Sequence, residues 1–473
     1  MGFGRRIGDT FRVPGRGFRR ALAVLVVLLM AAATGSAVAL SAPSLVSDLG
    51  LSSQRQADAQ LPAPVPVLGP LATAAPLPTS MGLSGVLDPL ARSSALGEFA
   101  GVVVDPASAD TLWQRSPERS LVPGSTSKLL TAAAALLSLN PTERLYTKVV
   151  AGPTPDTVIL VGGGDPTLTA LPEGQDSVYP VPSRLDELVT EVRKAVPGRI
   201  RTVLVDTSRY TGPTLAQGWQ PADVPGGYVA PIVPLMLDGG REDPSLQDGP
   251  RVTQPALTAG RALAEELGAS TVDEGVAVPG ATVLGSVASA PISDLVEHLM
   301  RTSDNVLAEA LAREVAIVRG GDPSFTGAAA QVLAALSQAG FDPSGAVMVD
   351  GSGLSTADRV PARLLGALLA TAAAPAQGAR DTQFLRPILT GLPVAGGDGT
   401  LDSRFGTSNS DDGRGVVRAK TGTLTGVSSL AGVVTNADGR LLVFALISNG
   451  ESPATVRPRL DTIAAALSRC GCR

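Results

Sequence analysis

The chain has 473 residues, 44% apolar and 17% charged, with a net charge of -5 and only 3% aromatic residues. That balance excludes a nucleic-acid binder, which needs a basic face against phosphate. Cys470 and Cys472, one glycine apart, are too close for a zinc site and no second pair exists, so neither metal nor cofactor is expected.

Residues 1–20 form a basic N-region carrying Arg5, Arg6, Arg12, Arg16, Arg19 and Arg20, and 21–40 are uncharged. A basic flank before an apolar run is a secretory signal or a membrane anchor. Ala37-Val38-Ala39 would serve for cleavage, while the whole run is just long enough to span a bilayer. Either reading puts the rest outside the cytoplasm, in periplasm or cell wall, touching the membrane only through this segment. Residues 41–92, rich in Pro and Ala, read as a linker.

Further on, Glu98–Asp105 reads as a strand, Pro106–Asp110 as a turn and Thr111–Gln114 as the partner strand. Val122-Pro123-Gly124 stops extended structure, and Lys128–Leu139 follows as an Ala/Leu-rich helix ended by Asn140-Pro141. Residues 145–285 differ in texture, with Gly162-Gly163-Gly164, a short strand at Arg201–Asp206 and a helix at Ala256–Leu267. The glycine cluster lacks the lysine of a phosphate loop. We read this stretch as a β-rich inserted domain. Helices at Leu295–Met300 and Val306–Ile317 come next. Strands at Val416–Thr423, Ser429–Val434 and Leu441–Ser448 and a helix at Thr455–Arg469 close the chain. One antiparallel sheet built from both chain ends is therefore expected, in a domain made of residues 93–144 and 286–473. The cysteine pair reads as an unimportant tail on which the fold does not depend.

Three motifs carry chemistry. In Ser125-Thr126-Ser127-Lys128 the serine and lysine are three apart, a spacing that puts both on one helical face. A serine hydroxyl needs a neighbour to take its proton. With one histidine in the chain, Lys128 is the natural base, provided that burial and a second cation, Lys420, keep it neutral. Ser303-Asp304-Asn305 falls at a break between two helices, so Ser303 and Asn305 can line one cavity. Ser303 is suited to pass a proton, Asn305 to hold Lys128 and meet a substrate carbonyl, and Asp304 or Ser303 to cap the second helix. Lys420-Thr421-Gly422-Thr423 continues a strand whose glycine permits close approach by an extended peptide. Lys420 supplies positive charge, Thr421 and Thr423 bind a carboxylate, and the Ser125 and Thr423 amides form an oxyanion hole.

S-x-x-K, S-D-N and K-T-G in that order resemble penicillin-binding proteins and class A β-lactamases. From about Gly97 to Gly450 the chain resembles the D-alanyl-D-alanine carboxypeptidase/endopeptidases of peptidase family S13. The resemblance extends to Gly124–Ala132, Gly164-Asp165-Pro166-Thr167-Leu168, Val205-Asp206-Thr207-Ser208, Gly218-Trp219, Asp350-Gly351-Ser352-Gly353-Leu354-Ser355 and Gly399-Thr400-Leu401. Ser125 and Ser303 stand 178 positions apart, leaving room for that family's insertion. It implies an α+β fold, an α/β/α sandwich like the β-lactamases and transpeptidases. It also implies Ser125 as acylated nucleophile, Lys128 as base, and Ser303, Asn305 and Lys420 as their partners. Peptidoglycan stem peptides are the implied substrates and β-lactams the inhibitors. Asp223 resembles an aspartate that binds the amino group of a diaminopimelate side chain. Where some relatives carry an arginine after Gly-Leu-Ser, this chain has Thr356, with Arg359 nearby. A serine β-lactamase and a non-catalytic wall-binding protein remain alternatives.

Overall fold

The computed structural model describes residues 75–375 and 382–473. The basic N-region, the apolar run 21–40 and the linker as far as residue 74 lie outside the described residues. The expected linker does not run to residue 92. Ser80–Ala91 forms helix α1, because Leu83, Leu87 and Ala91 recur four apart and are buried together, and the Thr79 side chain caps it by accepting the Gly82 N–H.

The chain then forms strands β1 (Glu98–Val104) and β2 (Thr111–Arg115) and helix α2 (Lys128–Ser138). Strands β3 (Tyr146–Ala151) and β4 (Thr157–Val161), helix α3 (Leu185–Ala195), β5 (Thr202–Asp206), α4 (Pro255–Leu267), β6 (Thr271–Glu274) and β7 (Val283–Ala288) follow. Helices α5 (Ile292–Thr302), α6 (Asn305–Val318), α7 (Phe325–Gln338) and α8 (Ala362–Ala373) lead to β8 (Arg418–Leu424), β9 (Val427–Thr435), β10 (Leu441–Asn449) and α9 (Pro453–Arg469).

The first sheet has the order β8-β9-β10-β1-β2 and is antiparallel throughout. Its strands are apolar on both faces because helices cover both. Along β10, Val443, Ala445 and Ile447 join the core beneath α2, α5, α6 and α8, while Leu442, Phe444 and Leu446 join the core beneath α1 and α9. Both chain ends thus meet in one α/β/α sandwich, as expected.

The second sheet, β6-β5-β4-β3-β7, is mixed: β4, β5 and β6 run parallel, while β3 is antiparallel to β4 and β7. Parallel neighbours need crossovers. Helices α3 and α4 belong to these connections, and their buried faces share the core of this sheet. The segment carries a five-stranded sheet, and α3 is a helix that the sequence reading did not place. The α3 pattern Leu185, Leu188, Val189, Val192 is the amphipathic stripe that seats it.

The C-terminal tail is not idle. Cys470 and Cys472 are paired, Cys470 is buried, and the Cys472 carbonyl accepts the Thr79 N–H at 2.8 Å. A Cβ on Gly82 would lie 2.4 Å from that carbonyl, so tail and α1 fit closely. The expectation of a dispensable tail is corrected, because the tail satisfies a donor at the start of α1.

Candidate active site

The local fold around Ser125 is a 3₁₀ turn, Gly124–Ser127, running directly into α2 at Lys128. Gly124 has a φ of 54°, a left-handed value that favours glycine, and a Cβ there would stand 3.0 Å from the Thr423 nitrogen. The turn is tied to the sheet as well: Ser429 Oγ donates to the Pro123 carbonyl at 2.5 Å and lies 3.1 Å from Thr126 Oγ1. Ser125 is half-buried, while Lys128 is fully buried.

Lys128 Nζ has three oxygen neighbours: Asn305 Oδ1 at 2.5 Å, the Ser352 carbonyl at 2.7 Å and Ser125 Oγ at 2.9 Å. Burial pushes this amine down to about 8, against the pull of Asp350, Glu309, Asp304 and Asp358. Lys420 is also fully buried and held well below an ordinary lysine, first by burial and then by repulsion from Lys128. Burial, one of the two influences expected, is thus the leading one on Lys128. Lys420 Nζ donates to Ser303 Oγ at 2.7 Å and to the Thr421 carbonyl at 3.0 Å.

Between α5 and α6 the chain breaks as expected. Ser303 takes a left-handed conformation, φ 62° and ψ 33°, and the Asp304 side chain caps α6 by accepting the Leu307 N–H at 2.9 Å. A non-glycine residue in that region costs about 1–3 kcal/mol and persists where surroundings dictate it. Here they do. Tyr179 donates to Asp304 at 2.8 Å, and Arg241 pairs with it at 3.2 Å, all three buried. Asn305 uses its oxygen on Lys128 and its nitrogen on the Tyr228 carbonyl at 2.8 Å.

Strand β8 is a sheet edge. Pro393–Ala395 lies along it as far as Ala419, whose N–H donates to the Pro393 carbonyl at 3.0 Å. Amides on one edge recur every second residue, so those of Thr421 and Thr423 face the same way. A Cβ on Gly422 would stand 2.4 Å from the Pro123 carbonyl and 3.0 Å from the Ser125 nitrogen. The strand therefore presses on the serine turn, bringing the Ser125 and Thr423 amides close. Thr421 Oγ1 donates to Thr400 at 2.8 Å. Asp223 lies in the loop that carries Tyr228, where its side chain accepts the Gln220 N–H at 2.7 Å and its carbonyl the Tyr228 N–H at 2.9 Å. Arg359 is turned back onto the Thr356 and Asp358 carbonyls.

Thus Ser125, Lys128, Ser303, Asn305, Lys420, Thr421, Gly422 and Thr423 form one cluster, with Asp223 a loop away. A cavity of about 750 Å³ lies apart from it, lined by Val104, Thr111, Phe341 and Ala367. Sequence reasoning missed the Ser352 and Tyr228 carbonyls, since a backbone acceptor carries no residue signature. It also assigned nothing to the buried acids Glu309, Asp350 and Asp358, although Asp350 opens a segment singled out in the sequence.

The description of the D-Ala-D-Ala carboxypeptidase 3 (S13) family matches residues 83–250 and 246–470. A carboxypeptidase of Mycobacterium tuberculosis is 44% identical over 409 residues, 85% of this chain and 87% of the relative. Carboxypeptidase DacB of Mycolicibacterium smegmatis is 42% identical over 455 residues, 93% of this chain and 97% of the relative. In fold the chain is similar to penicillin binding protein 4 of Haemophilus influenzae, with a TM-score of 0.65 and 22% identity, covering 83% of this chain and 98% of that one.

Proposed function

Because the chain belongs to the D-Ala-D-Ala carboxypeptidase S13 family, we propose that it hydrolyses the bond following a D-alanine carbonyl in peptidoglycan stem peptides, through an ester on Ser125. The observation that carries this reading is the surroundings of one amine. Asn305 Oδ1 and the Ser352 carbonyl are acceptors and take two hydrogens from Lys128 Nζ. A neutral amine has only two, so its lone pair is left for the Ser125 O–H at 2.9 Å.

Ser125 Oγ attacks the D-alanine carbonyl carbon as its proton moves to Lys128. The oxyanion is received by the Ser125 and Thr423 amides, each donor contributing about 10²–10³ in rate. The C–N bond then breaks, and Ser303, held by Lys420, hands its proton to the leaving amine and takes in exchange the one Lys128 received, so that both return to their starting states. Water cleaves the ester and frees Ser125. The edge of β8 beyond Ala419 suits an extended peptide, and Lys420, Thr421 and Thr423 suit its terminal carboxylate. A β-lactam meets the same serine and leaves a stable ester. Release of a terminal D-alanine and opening of a cross-link differ only in the amine that departs, so both are within reach of this site.

Asp223 supplies a carboxylate for the amino group of the stem peptide's side chain. The basic and apolar residues 1–40 support export, with the body of the protein acting at the wall. Fluorescent penicillin should label the wild-type protein and not Ser125→Ala. Labelling that survives the substitution refutes the assignment. Digestion of purified muropeptides should yield free D-alanine, separated dimers or both, and release of neither refutes the activity.

A further inference from the structure

Behind Lys128 lies a buried group of acids that the reaction above does not use. Asp350 is fully buried, and four N–H donors converge on it: the Trp219 indole at 2.8 Å and the amides of Ser352, Gly353 and Ser355 at 3.2, 2.7 and 2.7 Å. That is the complement of a carboxylate, which only accepts. The turn it gathers is the one whose Ser352 carbonyl receives a hydrogen from Lys128. The same turn is anchored to α2 through Thr131, which donates to the Gly351 carbonyl at 2.6 Å, and to α6 through Glu309, which accepts the Gly351 N–H. Gly353, at φ 76°, leaves no room for a Cβ against the Gly124 carbonyl, 2.1 Å away. Asp350 therefore sits at the centre of the wall on which Lys128 rests.

Asp358 completes the group. Its Oδ1 accepts the Val349 N–H at 2.8 Å, while its Oδ2 is buried with no donor facing it. Its acidic neighbour is Asp350. Two carboxylates side by side in a buried place cannot both stay charged, and one proton between them resolves both the repulsion and the orphaned oxygen. Burial, then the Asp350 charge, holds Asp358 and Glu309 above the usual carboxyl range.

Resting on the Ser125–Lys128 reading, we propose that Asp350 is a positioning residue for Lys128, sharing a proton with Asp358. It holds the Ser352 carbonyl that aims the amine, and it supplies a negative charge that sets how readily the amine takes a proton. The other titratable and charged groups around that amine are Lys420 on β8, Glu309 with Arg313 on α6, and Asp304 with Arg241 and Arg251.

The test is the pH profile of acylation by penicillin, whose acid limb reports protonation of the base. Removing the Asp350 charge alone would let Asp358 ionise in its place, so the charge is removed with Asp350→Asn/Asp358→Asn. In that variant the limb should move about one unit to lower pH and the plateau should fall about tenfold, as the base is weaker and less well aimed. Asp358→Asn alone replaces one neutral group by another and should leave the limb in place. A purely structural role lowers the rate equally at every pH. A folded double variant whose limb stays at the wild-type position overturns the proposal. Where the double variant does not fold, infrared difference spectra decide. A protonated-carboxyl band in wild type at pH 7 that Asp358→Asn removes supports the shared proton, and its absence sinks it. Failure of wild type to be acylated at all speaks instead against the Ser125 reading.

Discussion

At the scale of the residue, the chemistry depends on whether Lys128 carries a proton. Burial holds this amine at about 8, so below that pH it is an ammonium and cannot accept from Ser125. The acylation rate should therefore rise with pH through about 8 and then level. A profile flat from pH 6 to 9, measured by stopped-flow with a chromogenic β-lactam, contradicts lysine as base. Replacing Lys128 with alanine should lower the rate by about 10²–10⁴, the range of general base catalysis. The gathering of Ser125, Lys128, Ser303 and Lys420 could be anticipated because residue types with few alternatives compose it: four lysines serve the whole chain, and two are here. The groups that aim Lys128 were not legible. Ser352 acts through its carbonyl across 224 positions of sequence, and any residue type offers a carbonyl. Asp304 was read as a helix cap, which it is, but a cap gives no sign of the tyrosine and arginine that clasp it.

At the scale of the element, continuous apolar runs bounded by turn residues made the strands of the first sheet readable. Their ends moved by one or two residues, and β10 ends at Asn449 rather than Ser448. The second sheet was less legible because its parallel strands depend on crossovers such as α3, and no turn dipeptide marks their pairing. What an apolar run cannot convey is how tightly β8 meets the serine turn. Gly422 shows it: an added Cβ would lie 2.2 Å from Ser429 Oγ and 2.4 Å from the Pro123 carbonyl. A hydroxyl can rotate away, whereas a carbonyl of the turn can move only with the turn. Gly422→Ala should therefore displace Ser125 and cut penicillin acylation by on the order of 10², the effect of misplacing a reacting group by about 1 Å. The far-ultraviolet circular dichroism should be unchanged. Adding Ser429→Ala removes the yielding contact together with the Ser429 hydrogen bond to the Pro123 carbonyl, and leaves the backbone contact in place, so the double variant should remain slow. Recovery of the wild-type rate would show that the backbone contact does not matter.

At the scale of the whole molecule, the segment that carries the second sheet is part of the site. Tyr179 and Arg241 hold Asp304, Trp219 holds Asp350, the Tyr228 carbonyl orients Asn305, and Arg209 pairs with Glu314 on α6 through a hydrogen bond of 2.8 Å. The Arg241–Asp304 pair is fully buried, so Arg241→Met strands a charge and should destabilise the protein by about 3–5 kcal/mol in urea unfolding. Burial works against the charged form of Asp304, yet Arg241 and then Arg251 hold its carboxyl well below the usual range. Its contribution is therefore present above the unfolded value of about 3.9 and is lost as pH falls below it. The stability difference between wild type and Arg241→Met should accordingly narrow at acid pH. From sequence the segment looked like a domain set into another, since the spacing of the motifs shows an insertion but not what it touches. The contacts above tie it to the residues around Lys128. Replacing residues 146–288 by a short linker would leave Asp304, Asp350 and Glu314 without these partners, and Asn305 without its orienting carbonyl. The shortened chain should then fail to be labelled by fluorescent penicillin and should unfold at lower urea than the intact protein. A shortened protein that is still labelled at the wild-type rate would mean that the sandwich alone aims Lys128, and that the clasp on Asp304 is incidental to catalysis.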